Sequence, residues 1–266
     1  MQSDPTLVQF MTIRSGDNDL DSESARTYTA GIVLRPQQYP DFTASMDYYR
    51  IVNDDVVDAN AQFLINENAY SGLYPLRVVR DSSGNIIRVL APFQNIGSRS
   101  VSGVDFEMEH AFRLRRGARL ALALKATHIA TFEEEFEPGG RTLDYAGTFR
   151  DEASAGSGAL PDWKLNLSAV WQHQLWNIGY HVRIVSSLAE VVPGEERRRT
   201  IDGWSVHRTQ ASYLGPWTLW TKVTVGIDNI WDEPPPFSAA AFNDSYDSRT
   251  YDLTGRYAFL HLAKHL

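Results

Sequence analysis

The chain of 266 residues contains no cysteine, so no disulfide framework holds it and its redox compartment stays open. It also lacks any run approaching the roughly 18 consecutive apolar residues of a transmembrane helix. Basic residues are the minority charge: 25 Lys and Arg stand against 33 Asp and Glu, for a net charge of -8. Nucleic-acid binding is thereby disfavoured as the main role, because neutralising phosphates needs a concentrated basic surface. No G-x-S-x-G elbow, phosphate loop or C-x-x-C pair occurs, so nothing marks the chain as an enzyme and no cofactor is implied. The opening, MQSDPTLVQF, has neither a basic n-region nor an apolar h-region and does not read as a secretory signal.

What is present is a series of long alternating segments. Strands are expected at residues 27–35, 42–52, 100–114, 119–132, 164–172, 176–185, 204–213, 217–230 and 255–266. In GVDFEMEHAFRL, Val104, Phe106, Met108, His110, Phe112 and Leu114 fall on one face, against Asp105, Glu107, Glu109, Ala111 and Arg113 on the other. Leu120, Leu122, Leu124, Ala126 and Phe132 are expected to share a face opposite Lys125, Thr127, Thr131 and Glu133. Strands of a water-soluble sandwich alternate too, but most run about five or six residues. Several here exceed ten, close to what a tilted bilayer crossing requires.

The connections alternate as well. Residues 37–41, 115–117, 173–175 and 214–216 are short; residues 53–99, 133–163, 186–203 and 231–254 are long and rich in Asp, Asn, Gly, Ser and Pro. Tight turns on one side and long loops on the other are the pattern of outer-membrane barrels, with the long loops outside the cell. Trp171 and Trp176 bracket one tight turn, and Tyr213 and Trp217 another, as rings at a membrane interface would. A short helix within residues 56–68 is expected inside the first long loop.

Candidate chemistry is sparse. His261 and His265 are four apart, which on a strand puts them about 14 Å apart, too far to share a metal. The acidic run of Glu133, Glu134, Glu135 and Glu137 reads as solvated loop at a strand exit, and Glu195 to Arg199 as a mixed-charge loop tip. No metal site is expected and no ligand-contact residue is assigned.

Several segments, in order, resemble the β-barrel of TonB-dependent outer-membrane receptors. GDNDLDSESARTYTAGIVLRP is similar to the family's Gly-Asn-Pro-x-Leu-x-Pro-Glu-x-Ser element followed by Tyr-Thr-x-Gly. Leu20, Glu23, Tyr28, Thr29 and Gly31 agree, while Asn18 and Ser22 stand where prolines are common. FTASMDYYRI, NIGSRSVSGVDFEMEHAF with Gly103, and LPDWKLNLSAVW resemble successive strands. NIWDEPPP, with Asn229, Pro235 and Pro236, resembles Asn-Leu-Phe-Asp-x-x-Pro-Pro, and Tyr251-Asp252 with Gly255-Arg256 completes the set. The final Leu266 departs from the aromatic residue usual at that position, which puts assembly efficiency in question.

Structural roles are expected for these residues: bends or close backbone approach at Gly31 and Gly103, and chain reversal at Asn229 and the prolines. The expected fold is all-β, an antiparallel meander of about nine long strands forming the C-terminal part of a transmembrane barrel of roughly 22 strands. The plug domain and the earlier strands would be encoded upstream, so residues 1–266 would be one partial barrel domain. The resemblance implies a receptor of the bacterial outer membrane that takes up a scarce nutrient, such as a ferric siderophore, cobalamin or glycan. Its partners would be membrane lipid, the missing barrel and plug, that small molecule, and TonB acting through the plug. A passive porin-like barrel and a soluble all-β binding module remain the alternatives.

Overall fold

The computed structural model describes residues 11–135, 139–140, 142–150, 158–190, 199–239, 241 and 245–264. Nine strands run in chain order through one antiparallel sheet: β1 (Ser24–Leu34), β2 (Phe42–Asp54), β3 (Ser98–Arg113), β4 (Arg119–Glu135), β5 (Trp163–His173), β6 (Trp176–Val185), β7 (Trp204–Tyr213), β8 (Lys222–Asp228) and β9 (Tyr257–Ala263). Each pairs with its sequence neighbours, so β1 and β9 form the two edges, and a tenth short strand, Thr142–Asp144, folds back on β4. Among the described residues no helix is long and apolar enough to cross a membrane.

Register aligns the side chains into two coherent faces. Ile32 lies opposite Met46, Met46 opposite Phe106, and Phe106 opposite Ala126. The row-to-row pattern continues with Leu167 opposite Leu124 and Val182, and Val225 opposite Ala211 and Leu260. Large apolar side chains on this face are open to the surroundings: Ile32 is 53% exposed, Val225 51% and Leu260 64%. Water would not tolerate so broad an apolar surface, whereas hydrocarbon would. The opposite face carries Asp47, Asp105, Glu107, Lys125, Arg183 and Arg208.

Simple alternation misplaces Phe132 and, with it, Thr131 and Glu133, which pair with Ser102 and Ser100 on the apolar face rather than sharing the face of Lys125 and Thr127. Between Ser102 and Gly103 the register of β3 on β4 shifts by one residue, leaving Ala130 as a bulge, and beyond it Phe132 sits opposite Val101 on the polar face. A bulge reverses the parity of every residue that follows. The acidic run also differs from the expected solvated loop. Glu133, Glu134 and Glu135 lie within β4, where Glu134 is buried and takes Arg99 at 2.7 Å, and Glu133 accepts from Ser100 at 3.0 Å. Glu137, the Glu195 to Arg198 stretch, His265 and Leu266 lie outside the described residues. His261 faces Thr224 across the strand pair.

Turns set other boundaries. The strand expected from Trp217 begins only at Lys222, because Pro216–Thr218 forms a 3-10 turn and Leu219 and Trp220 follow in the left-handed region. Pro216 cannot donate to a ladder, so pairing stops there. The closing strand likewise spans only Tyr257–Ala263 within the expected 255–266.

The long connections are not bare loops. In residues 55–97 the helix α1 (Ala61–Ser71) starts later than expected, where Asn60 accepts from the Phe63 amide at 2.9 Å, and it ends at left-handed Gly72. It packs on a small sheet of Val78–Arg80, Ile86–Leu90 and Met11–Ile13, around a core of Leu64, Val78, Val89 and Ala91. A second cap joins Thr148–Arg150, Gly158–Leu160, Leu188–Glu190 and Arg199–Ile201 in a four-stranded sheet over Phe149, Ala159, Leu188 and Ile201. The loop after β8 docks there through Ser238, whose hydroxyl donates to Glu190 at 2.6 Å, and Asp247, which accepts from the Ala159 amide at 3.3 Å.

Candidate ligand passage on the polar face

The polar face is built from the alternate positions of β2 to β9, and its charges are paired across strands. Lys125 donates to Glu107 at 3.1 Å, and Thr127 to Asp105 at 2.7 Å. Arg208 holds Asp228 at 2.8 Å and lies over the Phe259 ring at 5.4 Å. Arg183 lies over the indole of Trp204 at 5.5 Å and donates to the Thr250 carbonyl at 2.9 Å.

A trough of about 550 Å³ opens between these groups, bordered by Lys125, Asn166, His181, Arg183, Arg208 and Trp204 and by Asp252 and Thr254 of the last long loop. That volume lies in the ordinary range for small-molecule sites. Its lining carries three cationic side chains, Lys125 and the exposed Arg183 and Arg208, against two carboxylates, Asp228 and Asp252. Trp204 is 3% exposed and its indole N–H has no partner among the described residues. The arrangement can bind and orient an oxygen-rich, anionic small molecule. Among the described residues no group of three or more His, Cys, Asp or Glu is placed to hold a metal ion.

The loop that borders the trough is anchored by buried contacts. Tyr251 is buried against Val185 and Trp204, and burial first, then the nearby Asp247 carboxylate, pushes its phenol up to about 12. Asp252 is held below the usual carboxylate range, chiefly by the Thr254 amide that donates to it at 2.8 Å.

The motif residues occupy structural positions in two groups. A β-carbon on Gly31 would land on the Asp47 carboxylate, and one on Gly103 would land on the His128 carbonyl oxygen and the Tyr49 hydroxyl. Both glycines thus leave room for polar-face side chains to cross the sheet. Asn229, at φ 50°, accepts from the Glu233 amide at 2.8 Å and donates to its carbonyl at 2.9 Å. Asp232 then accepts from the Arg256 amide at 2.7 Å, beside Gly255, where a β-carbon would lie 2.9 Å from the carboxylate. Arg256 also reaches the Ile230 carbonyl at 3.5 Å. Two sequence elements more than twenty residues apart are therefore one clasp at the base of the last long loop, with the half-buried Pro235 and Pro236 leading away from it. Tyr28 stands apart, on the apolar face, opposite Arg50.

The structure brings Asn229, Gly255 and Arg256 together and leaves Tyr28, Gly31 and Gly103 at a distance in the first strands. The trough's cations were not singled out from the sequence. Alternation places Arg183 and Arg208 on polar-face positions, but only the register shows that they converge with Lys125 and Trp204.

The TonB dependent receptor-like, beta-barrel family matches residues 3–230. No curated protein matches the chain. Among solved structures, the siderophore receptor PirA from Acinetobacter baumannii superposes with a TM-score of 0.57 at 14% identity, over 93% of this chain and 32% of that one. The FrpB iron transporter from Neisseria meningitidis gives 0.58 at 14% identity, over 94% and 32%. A mutant of the ferric enterobactin receptor PfeA from Pseudomonas aeruginosa, in complex with enterobactin, gives 0.58 at 16% identity, again over 94% and 32%. At these identities the likeness is one of fold, and the chain spans about a third of the length of the structures it matches.

Proposed function

The chain belongs to the TonB-dependent receptor-like β-barrel family, and from that premise we propose that it is the C-terminal barrel portion of a receptor that imports a scarce nutrient across the bacterial outer membrane. The apolar face of the sheet meets lipid, the polar face lines the passage, and the two caps with the last long loop form the rim outside the cell. A complete receptor would pair this sheet with further strands around a plug, and energy from TonB would enter through that plug. No bond of the nutrient is broken.

The observation that carries this reading is the cation-bordered trough under the long-loop rim, where Arg183, Arg208 and Lys125 converge. It suits an anionic, oxygen-rich ligand, and the matched structures include receptors described for siderophores and iron. A ferric siderophore is therefore favoured over cobalamin or a neutral glycan. In this reading Gly31, Gly103 and Tyr28 shape the sheet, while Asn229, Pro235, Pro236, Gly255 and Arg256 anchor the rim.

The test is uptake by the host bacterium of a panel of iron-55 siderophore complexes, with and without the gene and with and without TonB. Uptake of at least one complex is expected to need both. Replacing Arg183 and Arg208 together by Gln is expected to raise the concentration for half-maximal uptake about tenfold, the loss of roughly 1.4 kcal/mol of charged hydrogen bonding. Uptake that persists without TonB, with unrelated small solutes passing equally, would instead favour a passive porin-like barrel.

A further inference from the structure

We propose that the outward face of β1 and β2 carries a binding site for the phosphate group of an anionic lipid, built from Arg26, Arg50, Tyr28 and Tyr48; the proposal rests on the reading that this face meets the membrane. A groove between the two strands is lined by these four residues and Val52. Register explains why they meet. Tyr28 lies opposite Arg50, and Arg26 opposite Val52, so the two arginines are diagonal neighbours, within roughly 8 Å and in reach of each other's long side chains.

Like charges set side by side on one sheet face repel, and here only one of them is answered. Arg26 holds Asp54 at 2.6 Å, whereas among the described residues Arg50 has no ion pair. The cluster keeps a net positive charge, with two forked guanidinium groups and two phenol hydroxyls as donors. Such a fork matches two oxygens of a phosphate at once.

Position identifies the source of that phosphate. Arg50 pairs with Ser102, whose hydroxyl meets that of Thr131 at 2.8 Å, so its row is polar across the next two strands. One row further in, Tyr48 lies opposite Val104, Val104 opposite His128, and His128 opposite Trp163, with the last two rings stacked at 4.4 Å. The arginines therefore sit one row beyond an interfacial ring of aromatics, at the end of the strands that carries the long connections. Below them on the same face, Ile32 is 53% and Met46 49% exposed. A lipid whose phosphate rests between the guanidinium groups would lay its acyl chains on those side chains, which a free phosphate ion leaves uncovered.

The experiment extracts the protein from host membranes in mild detergent, with whatever completes its barrel. Retained lipid is then measured by native mass spectrometry against added phosphatidic acid, phosphatidylcholine and inorganic phosphate. Phosphatidic acid is expected to be retained in preference to phosphatidylcholine and not to be displaced by inorganic phosphate at equal concentration. The double variant Arg26→Gln with Arg50→Gln should weaken retention about tenfold or more. Arg50→Lys, which keeps the charge but loses the fork, should fall between it and the parent; Arg115→Gln, in a turn at the opposite end of the strands, should change nothing. Undiminished retention in the double variant, equal retention of phosphatidylcholine, or displacement by inorganic phosphate would each overturn the lipid site while leaving the receptor reading intact. Recovery of the protein in the soluble fraction would overturn both.

Discussion

Gly103 illustrates how a single residue is constrained by three strands at once. Its missing side chain leaves space that the His128 carbonyl on one neighbour and the Tyr49 hydroxyl on the other already fill. It also sits at the bulge of β3 on β4. Tyr49 could swing aside from a new methyl group, but the carbonyl belongs to the ladder and cannot. Gly103→Val is therefore expected to destabilise the sheet by about 1–3 kcal/mol through overpacking. The check is the urea midpoint for loss of strand signal in the assembled receptor, and an unchanged midpoint would mean that the bulge relaxes freely. The family resemblance singled out this glycine, but what it avoids was not legible, because His128 and Tyr49 come from strands whose register with β3 no single segment encodes.

Among the elements, the loop after β8 depends on a buried phenol. Tyr251 packs on Val185 and Trp204 with its hydroxyl unpartnered among the described residues. Its folded-state value of about 12 lies above the usual value of about 10, so the folded loop favours the neutral form. The stabilisation is then complete below about pH 10 and is lost as pH rises through about 12. Hydrogen exchange across residues 245–254, followed with tyrosinate absorbance, should show the loop intact at pH 9 and loosening near the upper value. Tyr251→Phe should abolish that alkaline transition. Ionisation of this residue near pH 10 with the loop still protected would contradict it. At this scale the sequence announced the nine long strands through their alternation, while the strands inside the long connections stayed hidden. Three-residue pieces such as Met11–Ile13 and Leu188–Glu190 are too short for any period to register, and they pair only because distant loops bring them together.

At the scale of the whole molecule, the described sheet ends in two unpaired edges, β1 and β9. In hydrocarbon each unsatisfied backbone group costs several kcal/mol, and a closed barrel removes that cost by pairing every edge. Expressed by itself, the chain is expected not to insert into liposomes as a monomeric, heat-resistant barrel. Co-expression with strands that pair both edges and close the barrel should restore insertion. Heat-modifiable mobility on gels without boiling distinguishes the two, and a resistant monomer from the isolated chain would refute the prediction.

The sequence by itself pointed to the class, through strand-length alternation, aromatic rings at tight turns and motif segments in the family's order. These are local signals, carried by neighbours along the chain. Tertiary structure alone decided which face Phe132 occupies, that Asn229, Asp232 and Arg256 form one clasp, and that Arg183, Arg208 and Lys125 meet at a trough. Each depends on register between strands far apart in sequence, and a shift of one residue, as at Ala130, moves every later side chain to the other face.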